Sequence, residues 1–337
     1  MKLIIQIPCL DEERTLPQTL ADLPRELPGF DAVEWLVIDD GSTDATVEVA
    51  RRHGVDHLVR LASHRGLSGA FQAGLDAGLK LGADVIVNTD ADNQYRGEDV
   101  ERLVAPVLAG TADLVVGDRD VRNSTHFSSR KRLLARLGSW IVGRASATRV
   151  PDATSGFRAY NREAALQAQV VSTFTYTLES VIQAGKTLVA IEHVPVRTNP
   201  DTRPSRLFPS LWTYIRRNAL SIFRIYSHYE PLRVFWSAAL VLGIAALGIW
   251  GRFLYFYVVQ GHGSGHVQSL ILGTVLFNAA MVLAALGVIG DQLSAQRVLT
   301  QRTLERVRRV ELELGVPASH YEPGARNGHA GRVPARS

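Results

Sequence analysis

The chain has 337 residues, 46% of them hydrophobic, and a net charge of +4. That length supports one large domain with its own core plus a smaller module. The single cysteine, Cys9, excludes an intrachain disulfide and any metal cluster built from cysteines, and so modest a charge gives no reason to expect nucleic acid as a partner.

Over the first two hundred residues, apolar runs alternate with helical spacing. Residues 2–7 read as a buried strand, and Cys9 beyond them as a packed thiol. This opening run is too short for a signal peptide, and Pro8 and Asp11-Glu12-Glu13 follow at once, so the first domain is expected to stay in the cytosol. Helical spacing covers 12–23, and a second strand, 35–38, ends at Asp39-Asp40-Gly41-Ser42. Asp44 caps a helix through Arg52. Then come a strand at 57–61, a Gly/Ala-rich helix at 66–81, a strand at 85–87, a helix at 98–108 and a strand at 114–116. Fully apolar strands separated by helices predict a mostly parallel, Rossmann-like sheet with helices on both faces. Ligands of such sheets bind beyond the carboxyl ends of the strands. Asp39-Asp40, Asp90-Ala91-Asp92 and Gly117-Asp118-Arg119 all fall at that edge.

The character changes near residue 207. Residues 208–230 mix Trp212, Tyr214, Phe223 and Tyr226 with Arg216, Arg217 and Arg224, which suits a helix lying on the membrane surface. Within 231–290, two apolar stretches, 235–259 and 267–289, are each long enough to cross about 30 Å of hydrocarbon. The loop between them has no Lys or Arg, whereas both flanks are Arg-rich, so the positive-inside rule predicts a hairpin with both flanks in the cytosol. Residues 291–315 read as one more cytosolic helix, with a possible homo-oligomer contact through Val307, Val310 and Leu314. The Gly/Pro/Arg-rich tail, 316–337, is expected to be disordered.

Chemistry is carried first by Asp90 and Asp92. Alternate residues of an extended segment face the same way, so both carboxylates can meet one Mg²⁺ or Mn²⁺, and Gln94 adds a neutral oxygen. An isolated Asp-x-Asp is also an ordinary polar loop; here its place at a strand end gives it weight. Asp39 and Asp40 close another strand, where a carboxylate can accept hydrogen bonds from a base or ribose.

Ile7-Pro8-Cys9-Leu10-Asp11-Glu12-Glu13, Val37-Ile38-Asp39-Asp40-Gly41-Ser42-Thr43-Asp44, His64-Arg65-Gly66-Leu67-Ser68-Gly69-Ala70, Asp90-Ala91-Asp92-Asn93-Gln94 and Ser155-Gly156-Phe157-Arg158 occur in this order. Together they resemble family 2 inverting glycosyltransferases of the GT-A fold. More narrowly, residues 1–207 are similar to the polyprenyl-phosphate branch, that of dolichyl-phosphate mannose synthase, and the two apolar stretches resemble those of bacterial undecaprenyl-phosphate sugar transferases. The family commonly has Asn where Asp11 and His64 stand.

The resemblance implies a metal-dependent hexosyltransferase that moves a sugar from a UDP- or GDP-linked donor to a polyprenyl phosphate. It places that enzyme, as a multi-pass protein, in the plasma membrane, with the catalytic domain and both termini cytoplasmic. It implies that Pro8, Leu10, Glu12, Asp39, Asp40, Ser68 and Ala91 contact the nucleotide, and that Asp90, Asp92 and Gln94 hold the metal. It puts Arg119 near the phosphates, Arg130 in an acceptor loop, and Arg203, Ser205 and Arg206 at the acceptor phosphate. Arg203 and Arg206 suit that task by their paired donors; the lesser alternative, compatible with it, is an electrostatic anchor for anionic lipids. Glu179 is a candidate carboxylate supporting the site from behind, with a place on a helix surface the stronger expectation.

Rival readings are an enzyme acting on a hydroxyl acceptor, a catalytically silent scaffold and a nucleotidyltransferase. A processive polysaccharide synthase would carry Gln-x-x-Arg-Trp, and no Trp here follows an Arg. A nucleotidyltransferase would carry a Gly-rich phosphate loop near the first strand, which is missing.

Overall fold

The structure is a computed structural model that describes residues 1–119, 143, 150–170, 176–187, 189–200, 227, 229–259 and 267–324. The expected surface helix at 208–230, the loop between the apolar stretches, Arg130, Arg203, Ser205 and Arg206 thus lie largely or wholly outside the described residues. The chain divides into two compact units, Met1–Ile215 with Arg302–Ser337, and Arg216–Gln301.

In the first unit, β1 (Lys2–Cys9), β2 (Ala32–Asp39), β3 (His57–Arg60), β4 (Val85–Asn88) and β5 (Leu114–Asp118) form where the apolar runs place them. Between them lie α1 (Leu16–Asp22), α2 (Thr46–Arg52), α3 (Leu67–Lys80) and α4 (Val100–Leu108). Ala45 rather than Asp44 is the N-cap of α2, but Asp44 stands just before it and its Oδ1 accepts the Thr46 amide at 3.0 Å. β1 pairs in parallel with β2 and β4, and β2 with β3.

Four further elements that short-range periodicity does not announce follow: β6 (Arg158–Asn161), α5 (Arg162–Gln167), α6 (Tyr176–Lys186) and β7 (Ile191–Pro195). β6 runs antiparallel between β4 and β5, and β7 pairs in parallel with β5. The sheet order is β7-β5-β6-β4-β1-β2-β3-β8, where β8 (Tyr321–Pro323) lies antiparallel on β3.

Both sheet faces are covered. Leu3, Ile5, Ile7, Val37, Val85 and Val87 share one core cluster with Leu16, Leu20, Val47, Leu103 and Val104 of the helices. On the other face α3 approaches closely enough that a Cβ at Gly74 or Gly78 would strike Ile38 or Ile86. Double-sided burial is why these strands read as continuous apolar runs rather than alternating ones.

Two expectations for the C-terminal segment are corrected. Residues 267–289 and 291–315 do not form separate helices; one helix, α8 (Val267–Glu313), runs through both. Nor are residues 316–324 a disordered tail. β8 covers the β3 edge, Arg51 pairs with Glu322 at 2.6 Å, and the Tyr321 hydroxyl meets His57 Nδ1 at 2.9 Å. An open strand edge is a standing invitation to pair, and the tail satisfies it. Upstream, Arg308 donates to the Leu166 and Ala168 carbonyls at the end of α5, and Glu311 pairs with Lys80 at 3.1 Å.

In the second unit, α7 (Pro231–Val259) lies antiparallel to the apolar part of α8: Gly290 meets Pro231, Gly287 meets Trp236 and Gly273 meets Trp250. Their most apolar windows have mean hydropathies of 2.0 and 2.2, with only 11% and 17% buried. Core helices of a water-soluble domain would be buried; these turn their leucines and valines outward.

Candidate active site

Because β1, β2, β4 and β5 share one direction, their carboxyl ends share one edge of the sheet. That edge carries Leu10-Asp11-Glu12, Asp39-Asp40, Asp90-Ala91-Asp92 and Arg119. β6 starts there and β7 ends there, adding Ser155-Gly156-Phe157 and residues 196–199.

The first two loops are laced together. The Asp11 amide donates to Ser42 Oγ at 3.0 Å, the Thr43 amide to Asp11 Oδ1 at 2.8 Å, and the Glu12 amide to Thr46 Oγ1 at 2.8 Å. Asp39 and Asp40 are buried. Asp39 Oδ1 accepts the Ser42 amide at 3.0 Å. Asp40 Oδ1 accepts the Arg65 amide at 2.7 Å, and its Oδ2 faces His64 Nδ1 at 2.8 Å. Gly41, with φ of 82°, makes the turn after them, and the His64 amide nitrogen lies 3.3 Å from where its Cβ would be. Pro8, Leu10 and Glu12 border the same loops, and Ser68 stands buried at the start of α3 with no partner for its Oγ among the described residues. Cys9 is packed as expected: its thiol reaches the Ile7 carbonyl, and burial pushes it well above the usual thiol range.

Asp90 and Asp92 follow β4 directly. Thr19 of α1 donates to the carbonyl of the buried Ala91 between them at 2.9 Å, fixing the loop. Burial, and then the neighbouring Asp92 charge, push the Asp90 carboxyl up to about 7. A carboxylate so desolvated beside another is poised for a cation, which removes both penalties at once. Among the described residues no group of three or more His, Cys, Asp or Glu could close round a metal unaided. Two carboxylates at an open edge fit Mg²⁺ or Mn²⁺, which take the rest of their shell from water and substrate phosphate. Gln94 is already engaged: its Oε1 accepts from Arg119 Nη1 at 3.3 Å.

Asp152 is the residue that sequence reasoning misses. It is buried and grips Arg119 with both oxygens, Nε to Oδ2 at 2.7 Å and Nη2 to Oδ1 at 3.1 Å. Burial alone would raise its pKa, but Arg119 and Thr154 hold it below the usual carboxylate range. Its only sequence signal is its place three residues before Ser155-Gly156-Phe157-Arg158. Glu179 is a correction: it lies on α6 but is buried rather than on a helix surface, because α6 packs into the unit with most of its residues turned inward.

The chain also reaches residue 200 across this edge. The Asn199 amide donates to the Gln94 carbonyl at 2.9 Å, and Asn199 Nδ2 to the Asn93 carbonyl at 3.0 Å. Just before them Arg197 clamps the buried Asp99. The segment that leads to Arg203 thus starts against the loop carrying the acidic pair.

Comparison with known proteins places this arrangement. Residues 4–167 match the family described as Glycosyl transferase family 2. The undecaprenyl-phosphate mannosyltransferase of Micrococcus luteus is 32% identical over 169 residues, covering 48% of this chain and 68% of that protein. Glycosyltransferase AglJ of Haloferax volcanii is 26% identical over 317 residues, covering 91% of this chain and 97% of that one. Among solved structures, glucosyl-3-phosphoglycerate synthase from Mycobacterium tuberculosis in complex with UDP superposes with a TM-score of 0.51 at 24% identity, over 66% of this chain and 79% of that one.

Proposed function

The chain belongs to glycosyl transferase family 2, and on that premise we propose that it transfers a sugar from a nucleoside diphosphate sugar to a polyprenyl phosphate at the membrane. The observation that carries this reading is the convergence at one sheet edge of two neighbouring carboxylates, Asp90 and Asp92, with an arginine gripped by Asp152. The undecaprenyl-phosphate acceptor in the name of the Micrococcus relative, and two apolar helices long enough to span a bilayer, supply the acceptor.

In this scheme Asp90 and Asp92, with Gln94 beside them, would hold Mg²⁺ or Mn²⁺, which supplies Lewis-acid stabilisation of the leaving diphosphate. Pro8, Leu10, Glu12, Asp39, Asp40 and Ser68 line the nucleoside end, the orphaned Ser68 hydroxyl gaining a partner there. Arg119 cannot swing away from Asp152, so it presents a fixed positive charge to the phosphates without reorganisation. Arg130, Arg203, Ser205 and Arg206 meet the acceptor phosphate, on the strength of their motif positions.

An acceptor phosphomonoester, with a second pKa of about 6, is already largely dianionic at neutral pH. No dedicated base is required. A phosphate oxygen forms a bond to the anomeric carbon while the bond to the nucleoside diphosphate breaks, its electron pair leaving with the diphosphate; the anomeric centre inverts. Catalysis is alignment plus stabilisation of the leaving group. The first unit and the end of α8 face the cytosol, and α7 with residues 267–289 crosses the inner membrane as a hairpin.

The test is to incubate membranes carrying the protein with undecaprenyl phosphate and a panel of UDP- and GDP-sugars, then look for a lipid-linked sugar by mass. A product that requires a divalent metal, and is absent with Asp92→Asn, supports the proposal. Transfer only to a soluble hydroxyl acceptor, or no transfer from any donor, overturns it.

A further inference from the structure

Beneath Asp90 lies a buried polar network that the proposed chemistry does not itself use. Gln6 on β1 donates to Asn88 Oδ1 at 2.8 Å. Asn88, the last residue of β4, donates in turn to the Gly156 carbonyl at 2.8 Å and to the Tyr176 hydroxyl at 2.9 Å. The Gly156 amide donates to the Tyr95 hydroxyl at 3.0 Å. Both peptide groups of Gly156 are therefore held by side chains from other elements.

Two of those side chains are themselves held by ring stacking. Tyr176 stacks on Phe71 at 4.0 Å, and Tyr95 on Phe157 at 4.9 Å. The fully buried Arg158 ties the preceding loop to α6: its Nε reaches the Ser155 carbonyl at 2.8 Å, and its Nη2 reaches the carbonyls of Ala153 at 3.1 Å and Thr177 at 2.7 Å. A Cβ on Gly156 would stand 2.9 Å from each Asp90 carboxylate oxygen and 2.9 Å from the Tyr176 hydroxyl. Such distances are below contact, so something must move. The Gly156 backbone is bonded on both sides and the Tyr176 ring is stacked, which leaves the Asp90 carboxylate as the group that yields.

We propose that Gly156 is a positioning residue for Asp90: Asn88, Tyr95 and Tyr176 clamp its backbone so that its bare Cα is the wall against which both carboxylate oxygens rest. The idea builds on the proposed role of Asp90 as a metal ligand. It assigns the Ser155-Gly156-Phe157-Arg158 segment a task distinct from substrate contact: it sets where the first carboxylate points. Orientation of a ligand by the groups around it typically changes metal affinity by about 10–100-fold.

The experiment measures Mn²⁺ binding to the full-length protein in detergent, from the electron paramagnetic resonance signal of free Mn²⁺, in parallel series with UDP and with GDP, alongside thermal unfolding. Gly156→Ala is expected to weaken Mn²⁺ binding about tenfold or more. Tyr176→Phe, which keeps the ring stack and loses only the hydroxyl, is expected to weaken it several-fold, and it decides the matter should Gly156→Ala not fold. Gly78→Ala, which crowds Ile86 on the same strand as Asn88, is expected to lower the Tm without changing Mn²⁺ affinity. Asp92→Asn separates the two levels of inference. If Asp92→Asn loses Mn²⁺ while Gly156→Ala and Tyr176→Phe bind like the parent protein, the positioning role is wrong and the metal site stands. If Asp92→Asn also binds like the parent protein, both fall.

Discussion

The two units place polarity in opposite ways. The first buries an arginine completely, at 0% exposure for Arg158, and keeps Asn88, Asp39, Asp40 and Asp152 nearly as dry. The second leaves Leu240, Val241 and Leu247 more than 60% exposed. In the first, each polar contact replaces a hydrogen bond to water, so burial is tolerable because partners are built in. In the second, the helical backbone satisfies itself and the outward side chains match hydrocarbon rather than water. Buried polar groups therefore mark where chemistry is organised, whereas exposed apolar groups mark the surrounding solvent.

The sharpest way to break the first pattern is to remove a partner. Asp152→Ala leaves the Arg119 guanidinium, whose side chain is only 15% exposed, with the neutral oxygens of Gln94 and Thr154 in place of its carboxylate. The expected cost is about 3–5 kcal/mol of stability, with a loss of turnover that added Mg²⁺ or Mn²⁺ does not restore. Thermal unfolding in detergent and transfer assays check it; a variant with parental Tm and activity would show that the clamp is idle.

For the second pattern the opposite substitution is informative. Leu247→Arg puts a charge near the middle of α7 and should cost about 3 kcal/mol of insertion free energy. A membrane-insertion reporter that shows the same inserted fraction for both would mean that this face does not meet lipid.

The smallest effect concerns a partly exposed contact in the first unit, where the pattern should fade. Glu34 lies 2.6 Å from His57 Nε2 and 2.7 Å from Lys2 Nζ. Burial opposes its charge, yet hydrogen bonds from His57 and then Lys2 hold its pKa at about 2 against an ordinary 4.5. A depressed carboxylate stabilises the fold above its unfolded pKa and loses that contribution as pH falls through the folded value. Glu34→Gln should therefore cost under about 1 kcal/mol at pH 7, and less at pH 3. Urea midpoints at the two pH values check the sign; a larger gap at pH 3 than at pH 7 would contradict it.

Legibility in the sequence follows the same divide. β1, β2, β4 and β5 are visible because burial on both faces demands unbroken apolar runs, and the acidic pair is visible because it closes one of them. β6 escapes notice because a four-residue strand that begins with Arg158 breaks that signature. β8 escapes because Tyr321-Glu322-Pro323 gains its strand geometry only from the β3 edge. The continuity of α8 escapes because its apolar half ends near Asp291, while backbone hydrogen bonding carries the helix on to Glu313 regardless of side-chain polarity.

The sequence by itself determined the alternating α/β order, the carboxyl-edge location of Asp40, Asp90 and Asp92, and two stretches apolar enough for a bilayer. Each of these is a local periodicity or a length, and such signals survive in one dimension. Only the tertiary structure decided that Asp152 grips Arg119, that Arg158 and Asn88 are buried, and that Gly156 backs Asp90. Asp152 and Arg119 are 33 positions apart in the chain, and Asn88 and Gly156 are 68 apart. A polar side chain becomes a clamp or a wall only when a distant segment removes its water.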